Sequence, residues 1–521
     1  MPALSVIDLA MFMLESRERP FNIGPLVMLA PPRGFKGNFA DKLVARMLER
    51  PMGQPWNQKF VAPRLGVPRL DIIQDADPRP QVHRLTLDAP GTQAQLFEKM
   101  CEIHATPLDR SQLLWELYVI DGVNDGKGGS KVALYGKVHH GIIDGRTFVR
   151  AVANWFTTDP KDREARAMWE GGAKAPHPAR ARASLGQQFG AALKGTVGLT
   201  KTAASLYRML GRQAMTTLGL GAGLGSDSLQ FPGFKVPKAF AGVASANRSF
   251  AHCKLPLSQM KAVGKAHGGT VNDVLLATLD MGMVRYLAAY GDKPGRPLVA
   301  DMPIALSGAT GGNQIALMQF PLGAPGVSPL DRLAQICKET AKLKAVLKRE
   351  TIDTVMLYTA LVHGVPAMVE VLGRKRGLAI SNLMVSNPFG LLERRYLMGA
   401  EVELVLPVSV VAAGQMLNVT AVTLADSMQV GFVAIPNAVR HVDKLAAYTA
   451  EAFEELKQAA WQAEQPDPQP ARKRTRKAAV KATQPTTPDS ACTAVATVKG
   501  PGREAPSAPS AAPRKRRASM A

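Results

Sequence analysis

Cysteine is scarce in this sequence. None of the cysteines forms a Cys-x-x-Cys pair, and the four in 521 residues are Cys101, Cys253, Cys337 and Cys492. This spacing argues against a disulfide-stapled scaffold and against a zinc–thiolate site. It is typical of a protein of the reducing cytoplasm, which is where we expect this chain to reside.

A secretion signal and a membrane-spanning run are also lacking. Residues 1–12 have no basic start and are interrupted by Asp8, so no signal peptide is expected. The most continuous apolar stretch, residues 404–413, contains Pro407 and is too short to cross a bilayer. We predict that this stretch belongs to a buried strand pair and that any contact with a membrane is peripheral.

Acidic residues are fewer than basic ones. The chain has 42 Asp and Glu against 64 Lys and Arg, which gives a net charge of +22. This excess predicts an anionic partner: a phosphate-bearing ligand, an anionic membrane or nucleic acid. Hydrophobic residues make up 46% of the sequence, so a sizeable core is possible, and the length suits two domains with additional segments.

Composition and periodicity divide the chain into four predicted regions. Two α/β domains are separated by an interdomain connection and followed by a disordered basic tail, with boundaries at 1–158, 159–247, 248–464 and 465–521. The predicted helices are at residues 96–101, 146–156 and 274–290. The predicted strands are at residues 115–120, 131–140, 378–386 and 417–422.

Two segments outside the predicted domains are rich in positive charge. The connection has an amphipathic helical pattern at 185–218, which suits either an anionic membrane surface or packing on the protein itself. The tail has twelve basic and three acidic residues and no aromatic residue, so it cannot bury enough apolar surface to fold. It can hold anionic lipid, polyphosphate or nucleic acid, or it can serve solubility alone.

Histidine marks the candidate site. Nine histidines occur in the chain, and two of them, His139 and His140, are adjacent at the end of a predicted strand. Side chains alternate between the two faces of a strand, so the two imidazoles are predicted to have different roles. Gly141 and Gly145 bracket a tight turn that contains Asp144 and precedes a predicted helix.

This layout predicts proton transfer at His140. A neutral imidazole has a pKa near working pH and can take a proton from a hydroxyl group, whose oxygen can then attack a thioester carbonyl. For Asp144 we predict a structural role in the turn rather than direct proton transfer. The competing interpretation is a histidine pair bonded only to backbone groups at a strand end.

Other catalytic motifs lack essential parts. No further His, Cys or carboxylate residues stand at metal-ligand spacing from the histidine pair, so neither a metal nor a cofactor is expected. The sequence has no Gly-x-Ser-x-Gly elbow and no Gly-x-x-x-x-Gly-Lys loop, and no dinucleotide-binding Gly-x-Gly-x-x-Gly follows a strand. These absences argue against serine hydrolases, P-loop proteins and dinucleotide-dependent oxidoreductases.

The His-His-x-x-x-Asp-Gly segment at 139–145 resembles the signature of the coenzyme A-dependent acyltransferase superfamily. Further segments, in order, resemble the bacterial wax ester synthase/diacylglycerol acyltransferase family: Leu4-Ser5-Val6-Ile7-Asp8 with Met11-Phe12, Pro107-Leu108-Asp109-Arg110-Ser111 with Leu114-Trp115-Glu116, Val271-Asn272-Asp273-Val274, Gly312-Asn313-Gln314, and residues 381–387. The resemblance covers about residues 3–460. Gln112-Leu113, Ser307 and Pro388-Phe389-Gly390 depart from the family pattern, so the resemblance does not fix acceptor preference.

The resemblance implies transfer of a fatty acyl group from acyl-CoA, a substrate, to diacylglycerol or a long-chain alcohol. The stored product is triacylglycerol or wax ester, and His140 is the general base. The implied fold is two similar chloramphenicol acetyltransferase-like α/β domains with the active-site channel between them. Asn272 and Asp273 are expected to approach this channel. The alternative, which is compatible with it, is that Thr270 or Asn272 caps the helix that starts at Val274 and Asp273 favours its positive end. Trp115 is predicted to be a core residue.

The resemblance also bears on location and leaves alternatives open. The expected location is the cytoplasm, in peripheral contact with the inner face of an anionic membrane or with lipid inclusions. One alternative is an acyltransferase of the same superfamily with another alcohol or an amine as acceptor. The other is a nonenzymatic lipid-granule or nucleic-acid-binding protein that works through its basic tail. The intact His140 and Asp144 argue against it, and nucleic acid is not expected as a partner.

Overall fold

Two six-stranded mixed sheets form the frame of the protein. The computed structural model describes residues 4, 6–63, 68–124, 126, 129–143, 145–170, 236–305, 315–373, 379–388 and 390–464. The strands are β1 Asn22–Ala30, β2 Gln58–Val61, β3 Arg69–Ile72, β4 Val82–Thr86, β5 Trp115–Asn124, β6 Ser130–His139, β7 Ser249–Pro256, β8 Val299–Ala305, β9 Ile315–Pro321, β10 Leu383–Ser386, β11 Tyr396–Leu397, β12 Ala400–Val408, β13 Leu417–Leu424 and β14 Ser427–Ala434. The helices are α1 Val6–Leu14, α2 Phe39–Met47, α3 Gln93–Ala105, α4 Gly145–Trp155, α5 Leu257–Ala266, α6 Val271–Ala289, α7 Pro329–Arg349, α8 Ile352–Val371 and α9 Val442–Glu464.

The two sheets have similar sizes and different strand orders. The first runs β11-β12-β1-β6-β5-β4 and the second runs β7-β14-β13-β10-β8-β9. In the first sheet only β4 and β5 are parallel. In the second, β10 is parallel to both of its neighbours and the other pairs are antiparallel. The predicted α/β class is confirmed.

Strand β6 separates two cores by the alternation of its side chains. Val132, Leu134 and Val138 lie in the core on one face of the first sheet. Ala133 and Tyr135 point into a second core, which they share with residues of β7 and β14 from the other sheet. Strand β6 is therefore buried on both faces and leads directly into the histidine pair. Burial on both faces fixes the position of the turn that follows the strand.

A strand from late in the chain completes the first sheet. Strand β12 pairs antiparallel with β1, with Leu26 opposite Leu406. Close packing against the second sheet occurs at the same strand: a Cβ on Gly431 would collide with the carbonyl oxygen of Pro407. The two sheets are therefore joined through β12 as well as through the chain between them.

Most predicted elements are confirmed. The helices at 96–101, 146–156 and 274–290 lie within α3, α4 and α6 to within one residue, and the strands at 115–120, 131–140 and 417–422 correspond to β5, β6 and β13. The predicted strand at 378–386 was too long, because only residues 383–386 form β10. Asn382 donates its N–H to Val299 O at 2.9 Å and accepts from Val299 N through its side chain at 2.7 Å, so a side chain replaces one ladder bond.

The predicted connection is described only in part. Its helical pattern at 185–218 and the whole tail lie outside the described residues. Residues 159–170 pack on the first core, where Trp169 stacks on Trp115 with ring centroids 5.2 Å apart. Trp115 also donates its Nε1–H to Trp56 O at 2.8 Å, which confirms it as a core residue. The domain boundaries themselves remain predictions.

Helix α8 was not identified from the sequence, because Thr, His, Gly and Pro interrupt its apolar run. It is the one helix, among the parts of the chain described, long and apolar enough to cross a membrane by length and composition. Its inner face packs on the second sheet: Tyr358 donates to Gln319 Oε1 at 2.9 Å, and Thr359 Oγ1 accepts from Leu317 N at 3.2 Å. Helix α8 is thus anchored to the folded body along one face, and its other face is open.

Candidate active site

The end of β6 is held from both sides. His139 stands opposite Asn22 of β1 in the sheet register, and its N–H donates to Leu114 O at 3.0 Å. The next N–H, that of His140, donates to Phe21 O at 2.8 Å. Backbone bonds to two neighbouring segments therefore fix the chain where the turn begins.

His139 is fully buried beneath the turn. Its ring stacks on Phe12 with centroids 4.3 Å apart and planes 5° from parallel, and its Nδ1 accepts the Gly141 N–H at 3.0 Å. A ring nitrogen that accepts carries no proton, so the neutral ring has its proton on Nε2. That nitrogen faces Glu15 Oε2 at 3.6 Å. His139 thus has one assigned tautomer and one orientation, and it holds the turn in place.

Glu15 is the anionic centre of this arrangement. Its Oε1 accepts the Phe21 N–H at 3.0 Å, and its Oε2 accepts from Arg110 Nη2 at 2.9 Å. Burial raises the pKa of Glu15, but the facing His139 ring, the Phe21 N–H and the Arg110 guanidinium together outweigh burial and leave the pKa below its ordinary value. Arg110 also donates to Phe12 O at 2.6 Å. We call Phe12, Glu15, Arg110 and His139 the Glu15 network.

His140 differs from His139 in exposure. His140 is partly exposed, although its Nδ1 is buried, whereas the whole of His139 is buried. A Cβ at position 141 would lie 2.7 Å from the Phe12 ring. Glycine is therefore needed where the turn packs on the Glu15 network. The turn therefore presents His140 over a buried support.

The rest of the predicted motif is only partly placed. Gly145 is the first residue of α4, at the end of the turn where the sequence put it. Asp144 lies outside the described residues, so its structural role remains a prediction.

Asp273 is engaged as a helix cap. Its Oδ2 accepts from Thr270 N and Thr270 Oγ1, each at 2.7 Å, and its Oδ1 accepts from Thr340 Oγ1 at 2.7 Å. Asn272 is exposed and accepts from Asn387 Nδ2 at 2.7 Å. These contacts join the start of α6 to α7 and to the segment after β10. An approach of Asn272 and Asp273 to the histidine pair remains a prediction.

Replacing Asp273 with alanine is expected to destabilise the fold. The change removes the N3 half of the capping box that Asp273 forms with Thr270, and it leaves the buried Thr340 hydroxyl with only its longer bond to Cys337 O at 3.2 Å. Together these losses cost about 2 kcal/mol of unfolding free energy. Chemical denaturation measures this cost. Asn272→Ala is the matched control and should cost about 0.5 kcal/mol or less, as is usual for exposed positions. Equal stability of the two variants would contradict the capping role.

The sequence did not reveal the Glu15 network as a unit. Phe12 and Arg110 were noted only as parts of segments that resemble a family, and Glu15 was not singled out. Glu15 and Arg110 are 95 positions apart, and no local periodicity connects them. The available signal was an acidic residue directly after the apolar run of α1, a position where burial requires a partner.

Comparison with protein families agrees with this geometry. A model described as the wax ester synthase/diacylglycerol acyltransferase catalytic domain matches residues 4–275, and the model of the corresponding C-terminal domain matches residues 311–457. The chain belongs to the wax ester synthase/diacylglycerol acyltransferase family. It is an acyltransferase, and its histidine pair lies within residues 4–275, which match the catalytic-domain model.

Proteins similar to this chain match it over most of its length. A probable diacylglycerol O-acyltransferase of Mycobacterium tuberculosis H37Rv is 30% identical over 471 residues, covering 88% of this chain and 96% of the relative. The solved wax ester synthase/diacylglycerol acyltransferase from Marinobacter aquaeolei VT8 has a TM-score of 0.64 and 21% identity, covering 88% of this chain and 100% of that one. The first condensation domain of the calcium-dependent antibiotic synthetase has a TM-score of 0.53 and 16% identity, covering 88% and 96%. The two structural likenesses concern the fold and confirm the predicted fold class.

Proposed function

We propose that this protein transfers a fatty acyl group from acyl-CoA to the hydroxyl of diacylglycerol or a long-chain alcohol, forming triacylglycerol or wax ester. The observation that carries the proposal is the contrast within the histidine pair. His140 is partly exposed, and the buried His139 below it is fixed by the Glu15 network. A reachable imidazole on a rigid support is what general-base catalysis requires.

The reaction needs one proton carrier. His140 takes the proton of the acceptor hydroxyl while its oxygen attacks the thioester carbonyl carbon. A C–O bond forms, the C–S bond breaks, and coenzyme A leaves as its thiolate. The imidazolium then gives the proton to the thiolate, so His140 ends neutral and the products are an ester and coenzyme A.

A lipid assay tests the proposed reaction. The purified full-length chain is incubated with radiolabelled palmitoyl-CoA in detergent micelles that contain dioleoylglycerol, hexadecanol or octadecylamine, and the products are separated by thin-layer chromatography. Labelled triacylglycerol or wax ester is expected. Labelled amide with the amine and no ester with either hydroxyl acceptor would assign a different reaction of the same superfamily. No product with any acceptor would overturn the proposal.

We further propose that the protein works in the cytoplasm in peripheral contact with an anionic membrane face or lipid inclusion. Its acceptors are poorly soluble in water, so they must be drawn from a lipid phase. The net charge of +22 favours an anionic surface. Each Lys or Arg held near such a surface adds on the order of 1 kcal/mol of binding free energy.

The basic tail is expected to contribute to this contact and not to catalysis. A chain ending at Glu464 should keep its turnover on detergent-dispersed acceptor, because every proposed site residue precedes the cut. Its sedimentation with phosphatidylglycerol-containing vesicles should weaken at low salt, and the remaining binding should depend less on salt because the lost part is screened. Loss of turnover in detergent would contradict this assignment.

A further inference from the structure

The outer face of α8 is a continuous apolar surface. Its exposed large side chains recur every three or four residues at Leu357, Leu361, Val365, Met368 and Val371, and Leu372 follows at the C-cap. At about 1.5 Å per residue, the stretch from the first to the last is roughly 22 Å long. We call it the α8 apolar face.

Charge is excluded from this face. Between residues 357 and 372 the residues that can carry charge near neutral pH are Glu370 and His363. The exposed Asp353 lies one turn before Leu357. Glu370 is turned inward and bonded to Arg19 at 3.0 Å, and His363 is bonded to Asp301 at 2.8 Å. Both groups anchor the helix to the body, so their bonds leave the outer surface apolar.

Helix α9 provides an internal comparison. It also lies on the second half of the protein, and its exposed positions include Asp443, Lys444, Glu451, Glu454 and Glu455. An amphipathic helix presents such a polar face to solvent. A long exposed apolar face is the usual mark of a binding surface.

Positive charge follows the α8 apolar face in the sequence. After α8 and Gly373 the sequence continues as Arg374-Lys375-Arg376. The other end of the helix has no net positive charge, because Lys348 and Arg349 at the end of α7 are balanced by Glu350 and by Asp353 in the first turn of α8. An apolar helix face followed in the sequence by three basic residues suits the interface of an anionic lipid layer, where apolar side chains enter the acyl region and cations meet phosphate.

The same face borders the support of the candidate site. Helix α1 packs on α8, and Met13 of α1 is exposed. The residue before Met13 is Phe12, which stacks on His139. A continuous set of packed elements therefore joins the α8 apolar face to the turn that presents His140.

We propose that the α8 apolar face is the surface by which the protein lies on an anionic lipid layer that holds its acceptor. This inference rests on the proposed function, since it names the source of the acceptor for that site. A second copy of the chain is the less suitable occupant. The chain carries a net charge of +22, so two copies repel each other, whereas an anionic lipid layer attracts the protein.

Paired glutamine substitutions test the inference. Leu361→Gln and Met368→Gln remove apolar side chains that are 40% and 53% exposed, keep helix propensity and add no charge. The control pair is Ile73→Gln and Leu392→Gln, at positions 37% and 54% exposed outside α8. Full-length proteins are sedimented with vesicles of phosphatidylcholine, phosphatidylglycerol and dioleoylglycerol, in low and high salt.

The α8 pair should lower the vesicle partition coefficient by roughly tenfold per side chain, or about a hundredfold in all. The control pair should stay within about twofold of wild type, and thermal melts should confirm that both pairs fold. The loss should persist at high salt, because it removes apolar burial rather than charge. The ratio of turnover on vesicle-borne to detergent-dispersed acceptor should fall in the α8 pair only.

Equal vesicle binding by wild type and the α8 pair would overturn the inference. So would a wild-type dimer that becomes a monomer in the α8 pair by analytical ultracentrifugation, because the occupant would then be a second copy. Failure of the proposed function is distinguishable from either outcome. It would appear as wild-type protein that binds vesicles and yields no acyl product from dispersed or vesicle-borne acceptor.

Discussion

The His140→Ala protein is expected to lose about 100- to 10,000-fold in kcat with its fold intact. The side chain that disappears is the proposed general base. The contact that places the turn at this residue is its backbone N–H bond to Phe21 O, and alanine retains it. Single-turnover measurements with labelled acyl-CoA, beside a thermal melt, check both halves of this expectation.

Two other histidines serve as controls for His140. His267→Ala, at the end of α5, should leave kcat unchanged within about twofold. His139→Ala should lower both the melting temperature and the rate, because it removes the acceptor of the Gly141 N–H and the ring stacked on Phe12. If His140→Ala turns over near the wild-type rate in a folded protein, His140 is not the base.

Replacing Glu15 with alanine should have the second largest effect. The change leaves Arg110 without its carboxylate and removes the group that faces His139 Nε2. Stability should fall by about 2 kcal/mol, as expected for lost hydrogen bonds to a charged group. The rate should fall roughly 100-fold, since a displacement of about 1 Å at a catalytic group has that cost. Denaturant titration and steady-state kinetics measure the two effects.

The ionisation of Glu15 gives this prediction a distinctive pH dependence. Its pKa is lower in the folded protein than its ordinary value, so its contribution to stability is fully present above the unfolded pKa and is lost as pH falls through the folded pKa. In Glu15→Gln, stability should decline less steeply on the acid side. Glu18→Gln, at an exposed neighbouring position, should keep the wild-type slope. Parallel acid limbs for Glu15→Gln and wild type would refute the role given to the carboxylate.

Local patterns predicted the parts of the site that are local. The alternation along β6 placed a histidine pair at a strand end, and the glycines after it marked the turn, because strand and turn preferences act over a few residues. The support under that turn was beyond such patterns. It depends on Glu15 meeting Arg110 and His139 from three separate segments, and such meetings are decided by tertiary packing.

The same division explains the misjudged elements. The apolar run of α8 is broken in the sequence by residues whose polar groups find partners only in the folded protein, as Thr359 does with Leu317. The strand that ends at Ser386 was predicted too long because the Asn382 side chain accepts from Val299 N in place of a backbone bond. Apolar periodicity does not encode such a side-chain bond. For Asp273 the capping alternative is satisfied, while its approach to the site remains a prediction.

The placement of β12 has a consequence for synthesis of the chain. Strand β1 is among the first segments to leave the ribosome, yet one of its two neighbours ends at Val408. Until about four hundred residues have been translated, β1 presents an unpaired edge of backbone N–H and C=O groups in a strongly apolar strand, and such an edge is prone to aggregate. The nascent chain therefore needs its longest protection for its earliest strand, and a gene truncated before β12 should yield insoluble protein rather than a stable N-terminal half.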